Sequence, residues 1–169
     1  MIGNGRGLSD GHETLDRRAP DPKAASVTAT DRSIELTRAA AQAAADKLAH
    51  DIIAYDVSDV LSITDTFLVA SAPNDRQVKA IVDGIEETLL KELDVKPVRR
   101  EGEREGRWVL LDYIDIVVHV QHAEERVFYA LERLWKDCPE IELPEEAAAT
   151  RGKAAAHERA NAAGEDEGA

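Results

Sequence analysis

Three aspartates, Asp65, Asp112 and Asp115, stand at or beside short β-branched runs. Carboxylates at strand ends are how a phosphoryl transferase holds divalent metal ions. The surrounding residues do not complete such a site. No glycine-serine turn that would grip a phosphate precedes Asp65, and in place of a second aspartate one residue further on the chain reads Asp65, Thr66, Phe67. No phosphate-binding P-loop occurs anywhere. The single cysteine, Cys138, excludes an internal disulfide and a cysteine-rich zinc site, and no positioned base marks it as a nucleophile. The expectation is therefore a protein with no catalytic residues, no metal and no cofactor. A metal-dependent enzyme resembling the nucleotidyltransferases is the alternative.

Other side chains suit recognition better. Trp108, Leu110 and Asp112 alternate and share one face of a strand, while Val109, Leu111 and Tyr113 share the other. Burying Asp112 without a partner is costly, so its face is expected at the surface, with Trp108 as an apolar anchor; the opposing reading makes Trp108 a core filler beside a helix. His119 lies in a valine-rich strand, either as a hydrogen-bonded structural residue or as a partner contact. Tyr129 sits one position round from the inner stripe of a helix, where its ring packs and its hydroxyl reaches water. Trp108, Leu110, Asp112, Tyr113, His119 and Tyr129 form the candidate partner-binding set. Arg76, near a helix start, is unfavourable there unless paired, so it is expected to clamp a carboxylate such as Asp65 or Glu101.

The elements that position these residues follow from periodicity. A helix from a cap at Asp31 or Ser33 to His50 places Ile34, Ala41, Ala44, Ala45 and Leu48 on one stripe. Strands are expected at 51–57 and 66–71. Behind an Asn74 or Asp75 cap, Val78, Ile81, Val82, Ile85, Leu89 and Leu93 define a second helix. A strand opens at Pro97 and Val98, and the run REGEREGR at 100–107 is a solvated loop. WVLLDY at 108–113 and DIVVHV at 115–120 are strands, and a helix from Glu124 carries Val127, Leu131, Leu134 and Trp135 inward. The order implies an α/β fold, a mixed five-stranded sheet with helices packed against it.

Residues 1–32 lack large apolar side chains and are expected to be disordered; residues 33–138 form the domain. Residues 139–169 read as an acidic, alanine-rich flexible tail, with a frayed helix between Ala147 and Ala163. The net charge of -13 repels phosphate backbones, so little or no direct nucleic-acid binding is expected and a basic protein is the better partner. No apolar run approaches the roughly 18 residues of a membrane span, and the N-terminus lacks a signal-peptide core, so the expected location is the cytoplasm. Homodimerisation of the free chain stays open, since an exposed apolar strand face permits it.

Four stretches, in order and spacing, resemble the ribosomal silencing factors of the Iojap family. They are DVSDVLSITDTFLVAS at 56–71, NDRQVKAI at 74–81, EGEREGRWVLLDYIDIVVHV at 101–120 and ERVFYALERLW at 125–135. The resemblance spans residues 33–138. It implies a core similar to a nucleotidyltransferase without catalytic residues, which binds the large ribosomal subunit through ribosomal protein fourteen and sterically keeps the small subunit off, repressing translation. Ser62, Asp65, Arg76 and Asp115 occupy positions of the family's motifs, where a structural role is expected. One departure is Ile114, where the family commonly has glycine before Asp115. A β-branched residue resists the positive φ of a two-residue hairpin turn, so a longer or different turn is expected.

Overall fold

The computed structural model of the chain describes residues 27–168. The part of the expected disordered extension before residue 27 lies outside these residues. Helix α1 (Asp31–Asp46) is followed by strands β1 (His50–Asp56) and β2 (Thr66–Ala72), helix α2 (Asp75–Leu93), and strands β3 (Arg99–Glu101), β4 (Trp108–Asp112) and β5 (Ile116–His122). A short helix α3 (Ala123–Tyr129), a 3-10 turn (Leu131–Trp135), helix α4 (Glu145–Ala148) and helix α5 (Lys153–Gly168) complete the chain. The strands form one mixed sheet in the order β1-β2-β5-β4-β3, parallel between β2 and β5 and antiparallel elsewhere.

Helices α1 and α2 cover one face. Thr30 caps α1 by accepting the Ser33 N–H at 3.1 Å, one residue before the positions suggested by sequence. The inner stripe of α1 is Leu36, Ala40, Ala41, Ala43 and Ala44, whose small side chains let it lie close to the sheet and to α2. It is rotated from the expected stripe: Ile34 is half-buried and Leu48 is exposed, because α1 ends at Asp46 and Leu48 has a left-handed φ of 65°. Helix α2 follows its periodicity closely. Asn74 accepts the Gln77 N–H at 2.8 Å, and Val78, Ile81, Val82, Ile85 and Leu89 are buried against β2, β4 and β5. Asp94, at φ 57°, turns the chain out of the helix.

Of the two outcomes expected for the Ile114 turn, a longer loop or a different type, the structure shows the second, a tight turn centred on Ile114. Tyr113 donates its N–H to the Ile116 carbonyl at 2.9 Å and Asp115 donates to the Tyr113 carbonyl at 2.8 Å, so the loop is short after all. Ile114 sits at φ 72°, strained for a β-branched residue. The Asp112 carboxylate holds it there by accepting the Ile114 N–H at 2.8 Å.

The chain beyond 138 also departs from the solvated tail that composition suggests. Asp56 donates its N–H to the Pro139 carbonyl at 2.8 Å, and Ile141 donates to the Ala54 carbonyl at 2.9 Å, so this segment runs along the free edge of β1. Ile141 and Ala147 are buried in the main core, and buried Thr150 accepts the Ile52 N–H at 2.9 Å. The carboxylate of Asp51 then caps α5, accepting from the N–H groups of Gly152 (2.7 Å) and Ala154 (2.9 Å). Single apolar residues six apart carry no period, which is why the sequence hid them. Deleting residues 139–169 is therefore expected to cost at least about 3 kcal/mol in a denaturant titration, from lost apolar burial and an exposed strand edge. Deleting only 160–169, whose described side chains are exposed, should leave the transition within about 0.5 kcal/mol.

Candidate functional site

The second face of the sheet is covered unevenly. Over β1 and β2, Ile53, Tyr55, Val57 and Val69 form a small core closed by Leu61, Phe67, Trp135 and Cys138. Over β4 and β5 no long helix follows. Register places Leu110 beside His119 and Asp112 beside Val117, with Val69 and Phe67 beyond them on β2. Trp108, Leu110 and Asp112 are half-buried on this face, while Val109 and Leu111 point to the helices, as the alternation predicts. Tyr113 follows Leu111: it is buried beneath α2, on the opposite side from the rest of the candidate set, and does not belong to the open face.

The short helix α3 and the turn after it add aromatics to the rim. The sequence pattern suggests one continuous helix with Val127 and Leu134 inward. The structure instead breaks it at Ala130, at φ 44°, and leaves Val127, Phe128 and Leu134 75%, 80% and 68% exposed. The break is fixed by Arg126, which is buried and binds Glu132 Oε2 at 2.9 Å, Ser71 Oγ at 3.2 Å and the Asp51 carbonyl at 2.7 Å. A continuous helix would direct Glu132 away from the guanidinium it now satisfies, since side chains six apart do not share a helix face.

A run of ring contacts crosses the face. Phe128 packs on Tyr129 (centroids 4.9 Å apart), Tyr129 on Trp108 (4.8 Å), His119 on Phe67 (5.0 Å) and Phe67 on Trp135 (5.1 Å). Trp108 and His119 join the two halves through a hydrogen bond from the indole Nε1–H to His119 Nδ1 at 3.0 Å. Trp108 is thus both packed and presented, and His119 is the residue that orients it. Ile63, Ile114 and half-exposed Tyr129 extend the apolar surface around this centre. Phe67 and Ile63 were not singled out from sequence, although the alternation of β2 around Val69 puts Phe67 on this face.

The motif residues sort differently. Asp65 accepts from the Thr30 N–H at 3.0 Å and the Ser33 hydroxyl at 2.8 Å, tying the start of α1 to the loop before β2. Asp56 does the same for the preceding residues: burial opposes its charge, but hydrogen bonds from Ser58, Ala29 and Thr28 outweigh this and hold its carboxyl below the usual range. Arg76 is exposed and makes no ion pair among the described residues; the expected clamp is absent, because Asp65 is satisfied by Thr30 and Ser33 and Glu101 by Arg99 at 3.2 Å. Ser62 and Asp115 are exposed, Asp115 accepting the Asp65 N–H through its backbone carbonyl at 3.0 Å.

Asp65, Asp112 and Asp115 are not gathered into one cluster. Among the described residues the acidic and histidine ligand atoms that do converge are those of His122, Glu124 and Glu125. Arg107 engages both glutamates, at 2.6 Å and 2.7 Å, which accounts for their proximity.

Comparison with known proteins places this arrangement. The family model described as "Ribosomal silencing factor during starvation" matches residues 30–168. The chain belongs to the ribosomal silencing factor family. It is 41% identical over 108 residues to the ribosomal silencing factor of Bacillus subtilis, covering 64% of this chain and 91% of that protein. It is 38% identical over 109 residues to the one from Halalkalibacterium halodurans, covering 64% and 92%. A crystal structure of a Chromobacterium violaceum protein superposes with a TM-score of 0.58 at 38% identity, covering 60% of this chain and 84% of that one. The five-stranded mixed sheet is thus the fold of this silencing-factor family, and its members are not a known family of enzymes. No helix among the described residues is long and apolar enough to cross a membrane.

Within this silencing-factor domain, burial pushes the His119 imidazole down from 6.5 to about 4. The unfolded chain takes up a proton near 6.5 as pH falls, while the folded chain resists until about 4. Stability is therefore complete above the unfolded value and is eroded between the two. The loss amounts to roughly 3 kcal/mol by the lower end of that window. Denaturant titrations at pH 7 and about 4 should show this loss for the wild type and not for His119→Gln. Equal losses in both would mean that the ring is solvated.

Proposed function

We propose that the chain binds the large ribosomal subunit through ribosomal protein fourteen, and that in doing so it excludes the small subunit and represses translation. Membership of the silencing-factor family supports a role in translational regulation. The observation that carries the docking surface is the open sheet face around Trp108, where Leu110 and Tyr129 supply apolar and aromatic area beside the carboxylate of Asp112, and buried His119 orients the indole from beneath. An aromatic anchor ringed by polar groups is how protein interfaces concentrate affinity. The charge of -13 favours a basic ribosomal protein over ribosomal RNA. On this reading Asp65 shapes the domain through Thr30 and Ser33, and Asp115 through its backbone carbonyl, while Ser62 and Arg76 are exposed and make no such contact among the described residues. The chain works in the cytoplasm without cofactor or metal, and a homodimer in the free state would use the same apolar face.

Trp108→Ala is expected to weaken binding to purified large subunits by about 2 kcal/mol, roughly 30-fold, as measured by sedimentation and by titration of isolated ribosomal protein fourteen. Asp112→Lys should chiefly slow association, with an effect that shrinks as salt rises. Since Asp112 also holds the Ile114 turn, Asp112→Asn is the control for folding. Unchanged affinity in both Trp108→Ala and Asp112→Lys would move the interface elsewhere.

The alternative, a metal-dependent enzyme of nucleotidyltransferase type, predicts turnover with magnesium or manganese. Purified protein is expected to show none. Activity abolished by Asp65→Ala or Asp115→Ala would overturn the non-enzymatic reading.

A further inference from the structure

On the open face of this silencing factor lies a cavity of about 230 Å³ with apolar walls from Ile63, Phe67, Leu110, Ile114 and Val117. Thr64 and His119 complete the lining, but the atoms Thr64 Oγ1 and His119 Nε2, which have no hydrogen-bond partner among the described residues, are shielded from solvent and do not face the space. Asp112, also at the wall, has both oxygens engaged, Oδ1 by the Ile114 N–H at 2.8 Å and Oδ2 by Arg99 at 3.6 Å. A visitor therefore meets mostly hydrocarbon. Pockets for small molecules run to about 300–1,000 Å³, so this one has room for a single side chain rather than a metabolite.

Two of the walls cost the free protein something and return little to it. Ile63 and Ile114 are 76% and 56% exposed and belong to neither hydrophobic core. Ile114 also holds φ at 72°, a conformation that glycine adopts freely and that a β-branched side chain resists. The loops that carry the two isoleucines are tied together, since Asp65 donates its N–H to the Asp115 carbonyl at 3.0 Å. Both apolar side chains are thus held at one cavity by an arrangement that stores strain and buries no core. Strain kept where the monomer recovers no packing points to a contact made with a partner.

We propose that Ile63 and Ile114 form an apolar clamp around this cavity, which takes one bulky apolar side chain of the basic ribosomal protein that docks on the open face. The inference rests on the docking reading above and gives it a second anchor point beside Trp108. Charge favours the same occupant: the chain carries -13 overall, and Asp115, next to Ile114, is exposed and in no ion pair among the described residues. A basic protein presenting an apolar residue next to a lysine or arginine matches both features.

Ile114→Gly tests this because its two expected effects have opposite signs. Relief of the positive φ should leave the melting temperature equal to or above that of the wild type, while affinity for isolated ribosomal protein fourteen falls about 5- to 10-fold. Ile63→Ala removes a side chain that the fold does not pack, so it should weaken binding by about 5-fold with no change in melting temperature. Both losses should be the same at low and high salt, unlike that of Asp112→Lys. Trp108→Ala is measured alongside. If Trp108→Ala weakens binding and neither isoleucine variant does, docking stands and the clamp fails. If none of the three weakens it, the docking reading fails and the clamp with it. A marked drop in melting temperature for Ile114→Gly would make that residue structural and overturn its part in the clamp. A loss seen with large subunits but not with the isolated protein would give the cavity another occupant and overturn the proposal.

Discussion

Arg126 is buried with its charge intact, and the layout of the open face follows from how that charge is satisfied. The guanidinium reaches Ser71 on β2, the backbone of Asp51 on β1 and the carboxylate of Glu132 beyond the end of α3. Removing one partner from such a buried group leaves an uncompensated charge at a cost of about 3–5 kcal/mol, so the geometry is not negotiable. Bringing Glu132 back onto Arg126 requires the left-handed turn at Ala130. That turn stops α3 after two turns and sends Trp135 down over Phe67, while Phe128 and Tyr129 stay at the rim. A longer helix in its place would cover β4 and β5. The open face is what remains of the sheet once Arg126 has been served.

Much of the domain could be read from its residues because the reasons for it are local. The period of Val78, Ile81, Val82, Ile85 and Leu89 holds along α2, with a capping asparagine at its start. The strands declared themselves by branched side chains, and alternation in β4 correctly parted Trp108, Leu110 and Asp112 from Val109 and Leu111. What stayed hidden was set at long range. Helical periodicity continues through Ala130 without a visible stop; the break comes from Glu132 folding back onto an Arg126 that groups 55 and 75 residues away hold in place. Ile141, Ala147 and Thr150 matter because β1 has a bare edge, a fact no window around them contains. Tyr113 falls with Val109 and Leu111 by the same alternation, so its place in the partner-binding set conflicts with the strand period that the residues themselves display.

The Ile114 turn and the Thr64–His119 cavity share a physical character. Both hold a conformation or an unpaired group that the fold alone does not favour, a β-branched residue at positive φ in one case and two orphaned polar atoms in the other. Both line the same cavity on the same face. The helical side of the sheet, by contrast, is an almost wholly apolar core of alanine, valine, isoleucine and leucine.

The sealing of β1 also sets an order of events during synthesis. The amide of Ile52 waits for the hydroxyl of Thr150, 98 residues further along the chain. At the pace of translation, about 5–20 residues per second, the outer edge of that strand stays unclaimed for on the order of 5–20 s after Ile52 is made. An unclaimed edge is a template for neighbouring nascent chains. The bulge at Asp51, with its left-handed φ of 50°, disrupts the ladder at the point where a foreign strand would have to align. The residue that later caps the terminal helix thus guards the newborn chain against aggregation before that helix exists.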